Sequence, residues 1–488
     1  MEGERPDLFA VALEPLHARV GEVVTAAGAS PAVTEALIGL MRCVEVAAVV
    51  GLIAAGGVLL RRDPIASQAD GGITQPRVRL LAAIGAAGLF AWIVCRPGQD
   101  IFSLFGRLDH LALCGLAGYG LSTLSPRWRK WTLSPLSLVL IGQHTGWLPL
   151  GLVLAGGILG LALLKFPHTQ TTRRTAFAQA SVLIAMFLIC WRIRVADLGL
   201  GIVMHGLFAF VLLRHISFVV EARRGRAADI GSYLFYMLFY PSFLGASEIY
   251  SEFSERNLSG PVAVPYPGVA RSIIFGRLQI WAALQIPSSI EAALRIQGTL
   301  ALWSYVLVMF VRSALFLMGL WRIIEACARL YGVQLRPNFP HILWCENPSQ
   351  FWHSWRATMT NWLIHYVYIP LGGNRRRQAR NIAAAFAVST LWHWMGIPFV
   401  ALHVSARDFV PIGAWGTINA LAVVSYAYAH RADWRVLPDR TPPLIRRGAK
   451  MFLTACLGTI TVTFLSTSPD LLEHFTAFVR TLVGLNAR

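Results

Sequence analysis

Two short segments of this sequence carry side chains that could transfer a proton or bind an anion. The first begins at Phe351 and reads Phe-Trp-His-Ser-Trp-Arg-Ala-Thr-Met-Thr-Asn-Trp-Leu, and the second places His393 inside an apolar run. An imidazole in such a run is costly unless it faces a cavity or a bundle interior, so His393 is a candidate functional residue. Histidine is also the side chain whose ordinary pKa suits a general base at neutral pH.

If the first segment is helical, it has an aromatic face and a polar face. Its large apolar side chains recur at intervals of three and four and would form one stripe: Trp352, Trp355, Met359, Trp362 and Tyr366. A neighbouring stripe would hold His353, Arg356 and Thr360. Arg356 could hold an oxyanion, or bind a carboxylate or phosphate, but it cannot accept a proton. His353 is the alternative source of an imidazole, with an interfacial packing role as its simpler interpretation.

Helix-breaking residues flank these candidates. Pro370 and the pair Gly372-Gly373 end the first segment, and the basic run Arg375 to Arg380 follows as a cytoplasmic anchor or, alternatively, a docking site for an acidic acyl carrier. Ser389 precedes His393 by four residues and would leave room on its helical face. Such breaks are tolerated in a membrane only where the backbone is buried in protein or lines a wet cavity.

The composition indicates that a membrane surrounds these segments. The chain has 488 residues, of which 55% are hydrophobic and 14% charged, and its mean hydropathy is +0.55. We predict spans near 38–60, 80–95, 108–124, 132–147, 148–164, 175–191, 199–218, 231–250, 297–320, 381–402, 408–430 and 451–468. The basic loops all lie on the same side of the membrane only if the segment 231–250 crosses the membrane. This predicts an all-α, multi-span integral membrane protein.

The remaining sequence features favour a simple division of the chain. Residues 1–36 are predicted to be an amphipathic or extramembrane segment, and 37–488 a single membrane domain with its motif core at 336–400. The net charge of +18 lies in short loops, which predicts contact with lipid headgroups and not with nucleic acid. The seven cysteines are dispersed and predict no metal site or disulfide framework.

The order of several short motifs resembles the membrane-bound O-acyltransferase family, in its bacterial branch of alginate O-acetylation and teichoic-acid D-alanylation enzymes. The motifs are Arg336-Pro-Asn-Phe, Asn347-Pro-Ser-Gln-Phe-Trp, Trp-Leu, Tyr-x-Pro-x-Gly-Gly and Leu-Trp-His, the last ending at His393. Tyr240-Pro-Ser-Phe-Leu-Gly-Ala-Ser resembles the upstream segment more loosely. The position after Trp355 usually holds His, Asn or Asp in that family, whereas this chain has Arg356. Ser247 stands where bacterial relatives commonly have Pro.

The resemblance implies a multi-span fold with re-entrant segments and a central tunnel. It also implies transfer of an acyl group, such as acetyl, from a thioester to a hydroxyl of an envelope or exported saccharide. His393 and Arg356 would be catalytic, and the predicted substrate contacts are His353, Trp355, Thr360, Asn361, Ser389 and Trp392. The expected cosubstrate is acyl-CoA or an acyl carrier protein, with no tightly bound cofactor.

Two other functions remain open from the sequence. The acceptor could be a lipid or a secondary metabolite, because Arg356 departs from the family pattern. The chain could also be a non-catalytic relative that acts as a transporter or as an assembly partner of envelope proteins. The expected location is the bacterial inner membrane, with many spans, membrane lipid around them and possible envelope partner proteins.

Overall fold

The computed structural model describes residues 126–145, 147–163, 201–226, 229–243, 245–259, 266–286, 299–395, 409–432, 438 and 440–466. The predicted N-terminal segment 1–36, the first three predicted spans and the span 175–191 lie outside these residues. The described part contains helices, turns and no β-strand, as the sequence predicts. Its longer helices are α1 Pro126–Thr145, α2 Trp147–Leu163, α3 Gly201–Glu221, α4 Ile230–Leu238, α5 Tyr240–Phe243, α6 Tyr250–Leu258, α7 Tyr266–Leu284, α8 Thr299–Leu330, α9 Pro348–Ser354, α10 Ala357–Leu363, α11 Gln378–Trp394, α12 Phe409–Arg431 and α13 Pro443–Ser466.

Within the described ranges, two helices are both long and apolar enough to cross a membrane. They are Trp303–Leu330, which is most of α8, and Phe409–Arg431, which is α12. The 32 residues of α8 extend about 48 Å at about 1.5 Å per residue, more than the thickness of a hydrocarbon core. The predicted spans at 297–320 and 408–430 therefore correspond to single helices.

The segment 231–250 is not a single crossing helix, as the breakers Pro241 and Gly245 in its sequence predict. The segment divides into α4, the four-residue α5 and, after an extended stretch, α6. The break follows from Pro241, which cannot continue a helix, and from Gly245, where an added Cβ would lie 2.2 Å from the Trp321 ring. A nine-residue helix reaches only about 14 Å, so α4 cannot cross alone. The placement of all basic loops on one side, which requires a crossing at 231–250, therefore stays a prediction.

Arg214 holds this broken segment together from α3. Its side chain is 2% exposed and donates to the carbonyl oxygens of Tyr236, Met237, Ser242 and Ala246, with distances of 3.2 Å, 3.1 Å and 3.0 Å for the first, second and last. Each carbonyl is one that a continuous helix would have paired internally. A buried guanidinium with five fixed donors replaces those bonds at one point.

The sequence analysis missed α7, because Arg271 and Arg277 interrupt its apolar character. This helix packs along α8 at a glycine pair. A Cβ on Gly319 would lie 2.6 Å from the carbonyl oxygen of Gly276, and the reciprocal distance is 2.7 Å. Small residues allow two backbones to approach in this way, which is a common device of helix pairs in membranes.

We predict that Gly319→Ala lowers the free energy of unfolding by about 1–3 kcal/mol, since the added methyl must push α7 away from α8. Melting of the detergent-purified protein measures this. The matched control is Gly448→Ala in α13, where an added Cβ meets nothing within 4 Å. That change should be neutral or stabilising by up to about 1 kcal/mol, because alanine favours a helix over glycine. Equal melting temperatures for the two variants would contradict the close packing.

Candidate active site

The segment 351–363 is not one continuous helix, because the chain breaks at Trp355 and Arg356. Trp355 is extended, with φ −88° and ψ 114°, and Arg356 adopts the left-handed conformation, with φ 45° and ψ 54°. Helix α9 ends before the break and α10 begins after it. A non-glycine residue in the left-handed region costs on the order of 1–3 kcal/mol and persists only where the surroundings impose it.

Asn338 imposes this conformation. Its backbone carbonyl accepts a hydrogen bond from the N–H of Ala357 at 2.8 Å, and its side-chain Oδ1 accepts from the N–H of Thr358 at 3.2 Å. Its Nδ2 donates to the carbonyl oxygen of Gly245 at 3.1 Å, and its own N–H donates to Glu325 on α8 at 3.1 Å. Asn338, which is fully buried, thus joins α8, the broken segment after α5 and the start of α10 through its backbone and its side chain together.

The hydroxyl of Thr358 extends this network. It donates to Oδ1 of Asn338 at 2.8 Å and accepts from the backbone N–H of Ser247 at 3.2 Å. A proline at position 247, which the family resemblance leads one to expect, has no N–H and could not make this bond. Ser247 therefore contributes a backbone hydrogen bond beside the break at Arg356 that a proline could not make.

The break divides the predicted aromatic stripe between two clusters. Trp352 and Trp355 pack in the main core, where the Trp355 ring stacks on Phe351 with centres 5.6 Å apart. Beyond the break, the cluster members are Met359, Trp362, Leu213 and Trp392, with Tyr366 packed against them. The stripe prediction fails because the helical spacing of three and four residues applies only to an unbroken helix.

Thr360 and Asn361 make hydrogen bonds that shape the break and its surroundings. The Thr360 hydroxyl donates to the carbonyl oxygen of Trp352 at 2.7 Å, one of the carbonyls that α9 leaves unpaired at its end. Nδ2 of Asn361 donates to Glu252 on α6 at 3.1 Å. Glu252 also binds Arg336 at 2.8 Å. These protein contacts are structural; substrate contact by either residue stays a prediction.

Arg356 sits at the corner of the break with a partly exposed side chain. Burial lowers the pKa of its guanidinium from the ordinary value, because removal from water disfavours the charged form. A partly desolvated cation attracts anions more strongly than one in bulk water does. The corner thus presents a fixed positive charge suited to an anionic or developing negative group.

His393 lies in the last turn of α11, where its orientation is defined by the helix itself. Nδ1 lies 2.8 Å from the carbonyl oxygen of Ser389. A carbonyl can only accept, so Nδ1 carries the proton and Nε2 is the basic nitrogen of the neutral ring. Ser389 thus contributes its backbone oxygen, and its side chain is buried. The following Gly396 lies outside the described residues.

Aromatic rings surround this imidazole. The ring of Trp392 is centred 4.7 Å away in an edge-on arrangement, and that of Trp415 on α12 is centred 4.8 Å away. Trp392 is buried in the smaller cluster with Trp362. His393 itself is half-buried. The imidazole is therefore a half-buried group in an apolar, aromatic wall.

His353 occupies a different environment from His393. It is exposed on α9, and its Nδ1 lies 2.7 Å from the carbonyl oxygen of Ser349. The prediction that it shares a helical face with Arg356 is wrong, because the left-handed residue turns the chain between them. Its interfacial interpretation fits this exposure.

Sequence reasoning missed Asn338, Arg214 and Trp415. Asn338 stands inside the quoted motif Arg336-Pro-Asn-Phe, so its position gave a usable signal, but nothing local indicated its distant partners. Trp415 lies in an apolar run like many others. Its proximity to His393 depends on the packing of α12 against α11.

The described residues thus form helices, with a broken segment beside Arg356 and with His393 in an apolar wall. Residues 161–406, about half of the chain, match the MBOAT, membrane-bound O-acyltransferase family. The chain belongs to this family. The matched region contains Arg356 and His393 together with the whole of the motif core up to residue 400.

Individual relatives match shorter stretches. The chain is 31% identical over 104 residues to a peptidoglycan O-acetyltransferase of Helicobacter pylori, covering 20% of this chain and 17% of the relative. It is 26% identical over 116 residues to a probable alginate O-acetylase of Pseudomonas fluorescens, covering 20% and 23%. A membrane-bound O-acyltransferase of Millerozyma farinosa is 37% identical over 100 residues, covering 18% and 19%. Each alignment therefore spans less than a quarter of the relative's length.

We predict that Asn338→Ala lowers the free energy of unfolding by about 3 kcal/mol or more, since it leaves the Gly245 carbonyl and the Thr358 N–H unpaired in the interior. It should also lower the activity of the folded fraction, because Arg356 loses the hydrogen bonds of Asn338 that hold its left-handed conformation. The matched control is Asn257→Ala, which removes a fully buried amide bonded to Phe253 and Gln334. Melting and activity of purified variants measure both effects. Full activity in folded Asn338→Ala would contradict the role of Asn338 in positioning Arg356.

Proposed function

We propose that this protein transfers an acyl group, with acetyl as the first candidate, from a thioester to a hydroxyl of an envelope saccharide. The observation that carries the proposal is the Nδ1–H···O=C bond from His393 to Ser389, which makes Nε2 the proton acceptor of the ring. Family membership supplies the reaction class, and the saccharide acceptor follows the names of the two bacterial relatives.

In the proposed reaction Nε2 of His393 accepts the proton of the acceptor hydroxyl while its oxygen attacks the thioester carbonyl carbon. The carbon–sulfur bond then breaks, and the leaving thiolate takes the proton back from His393. General base catalysis of this kind contributes roughly 10²–10⁴-fold. No covalent acyl-enzyme is needed, so direct transfer is the simplest route.

Arg356 has a separate role in this proposal, which is to bind an anionic group of a substrate. Acyl-CoA and an acyl carrier protein both present a phosphate near the thioester arm, and a guanidinium binds phosphate with two hydrogen bonds. Stabilisation of the developing oxyanion is the alternative role. The left-handed conformation supports a functional interpretation, since such strain accumulates at functional sites.

The proposed setting is a multi-pass protein of the inner membrane with the donor entering from the cytoplasmic side. The exposed arginines 375, 376, 377 and 380 support this orientation as cytoplasmic headgroup contacts. A central tunnel would let donor and acceptor reach His393 from opposite faces. Partner proteins of the envelope would receive or present the saccharide.

We predict that His393→Gln lowers acyl transfer by at least about 10²-fold, because glutamine cannot accept the proton. Labelled acetate is followed into the polysaccharide, lipid and small-molecule fractions of cells with matched membrane levels of each variant. His353→Gln is the matched control, since that exposed histidine makes the same bond to a carbonyl four residues earlier. Label in the lipid or small-molecule fraction would mean that the acceptor is a lipid or a small molecule and not a saccharide. Equal labelling by wild type and His393→Gln, with acetate and with longer acyl chains, would exclude it.

We predict that Arg356→Gly raises the free energy of unfolding by about 1 kcal/mol and lowers activity at least about tenfold. Glycine relieves the left-handed strain but removes the charge. The control is Arg377→Gly, which relieves the same strain at φ 49° on an exposed arginine and should keep its activity. Melting in detergent and labelled acetate transfer give the two readouts. Unchanged activity in Arg356→Gly would assign the arginine a purely structural role.

A further inference from the structure

Trp415, which packs against His393, and its neighbour Trp352 have buried indole N–H groups with no hydrogen-bond partner among the described residues. Trp415 is 1% exposed and its ring is centred 4.8 Å from the imidazole. Trp352 on α9 packs edge-on against Trp415, with ring centres 5.7 Å apart and planes at 76°. Buried donors are nearly always paired in folded proteins, so two neighbouring exceptions next to a base require an explanation.

Other tryptophans in the same region are paired. Nε1 of Trp394, adjacent to His393 in sequence, donates to the carbonyl oxygen of Phe409 at 2.9 Å. Nε1 of Trp362 donates to the carbonyl oxygen of Leu213 at 3.0 Å. These two indole donors therefore have protein partners, unlike those of Trp352 and Trp415. Among the residues that the structure describes, the buried indole donors without a partner are those of Trp352 on α9 and Trp415 on α12.

The chemistry of an indole restricts what these groups can bind. Indole N–H donates and cannot accept, so the partner must be an acceptor atom of a ligand. In acyl transfer at His393, the acceptor that gains negative charge is the carbonyl oxygen of the acyl group. Donors placed in a dry site before the reaction stabilise such an oxygen strongly.

We propose that Trp415, assisted by Trp352, donates its indole N–H to the acyl carbonyl oxygen and stabilises the oxyanion formed there. The inference rests on the proposed function. As the acceptor oxygen bonds to the carbonyl carbon, its proton goes to Nε2 of His393 and the carbonyl π electrons move to the oxygen held by the indoles. Re-formation of the carbonyl expels the thiolate, which takes the proton from His393.

The indole donors and the guanidinium of Arg356 then have different roles. The indoles act on the reacting carbonyl, so their loss lowers the turnover number. Arg356 acts on an anionic part of a substrate away from the reacting carbon, so its loss raises the substrate concentration needed for half-maximal rate. Removal of a donor that lacks a protein partner also leaves no protein group unpaired, unlike removal of a structural donor.

The test replaces Trp415 by 3-benzothienylalanine, which keeps both fused rings and substitutes sulfur for the N–H. We expect acetate transfer to fall about 10²-fold with an unchanged melting temperature, in line with removal of one oxyanion donor. Trp415→Phe should show the same loss of rate with a lower melting temperature, because it also leaves a cavity. Trp394→Phe is the control: it should melt earlier, since the Phe409 carbonyl loses its donor, and keep its rate per folded molecule.

The outcomes distinguish this inference from the proposed function. Full transfer by the benzothienyl variant, together with loss in His393→Gln, overturns the role of Trp415 and leaves the proposed function standing. Full transfer by both variants overturns both. A lower melting temperature in the benzothienyl variant, with a rate reduced only in proportion to the folded fraction, would make Trp415 a packing residue and would also overturn the inference.

Discussion

The described structure depends on the pairing of backbone groups where helices break inside an apolar bundle. An unpaired peptide group in such an environment costs several kcal/mol, so each break needs a polar side chain that is itself buried. Arg214 pairs four carbonyls of the first break, and Asn338 pairs the Thr358 N–H after the second break and the Gly245 carbonyl of the first. Asn381 pairs the carbonyls of Gly373 and Arg376 after the glycine turn. These three side chains allow irregular backbone beside the site.

The two candidate groups are positioned by different means. His393 uses a regular helix, in which the carbonyl four residues earlier fixes its tautomer. Arg356 uses a break, in which a left-handed residue turns its side chain away from the path a helix would give it. A regular helix gives a base a fixed orientation at little energetic cost. A strained corner instead places a charge where no continuous helix could present it, and the Asn338 network supplies the compensating hydrogen bonds.

The left-handed corner also suggests a backbone reason for the residues usual at this position. His, Asn and Asp, which the family resemblance leads one to expect after Trp355, are the non-glycine residues most enriched in that conformation. Arginine lacks their short polar side chain, so Arg356 retains the geometry without that local preference. Backbone conformation and site chemistry therefore both bear on this position, and this chain meets the backbone requirement through Asn338.

The sequence alone determined the helical class, the membrane setting and the family motifs, and it named His393 as a candidate, because composition and motif order need no knowledge of tertiary contacts. It located α8 and α12, although α8 extends ten residues beyond the predicted end at 320, since long apolar runs permit few alternatives. Tertiary structure decided the break at Arg356, the division of the aromatic stripe and the approach of Trp415 to His393. Each of these depends on a partner distant in sequence, as Asn338 is from Gly245, and local spacing contains no information about such pairs.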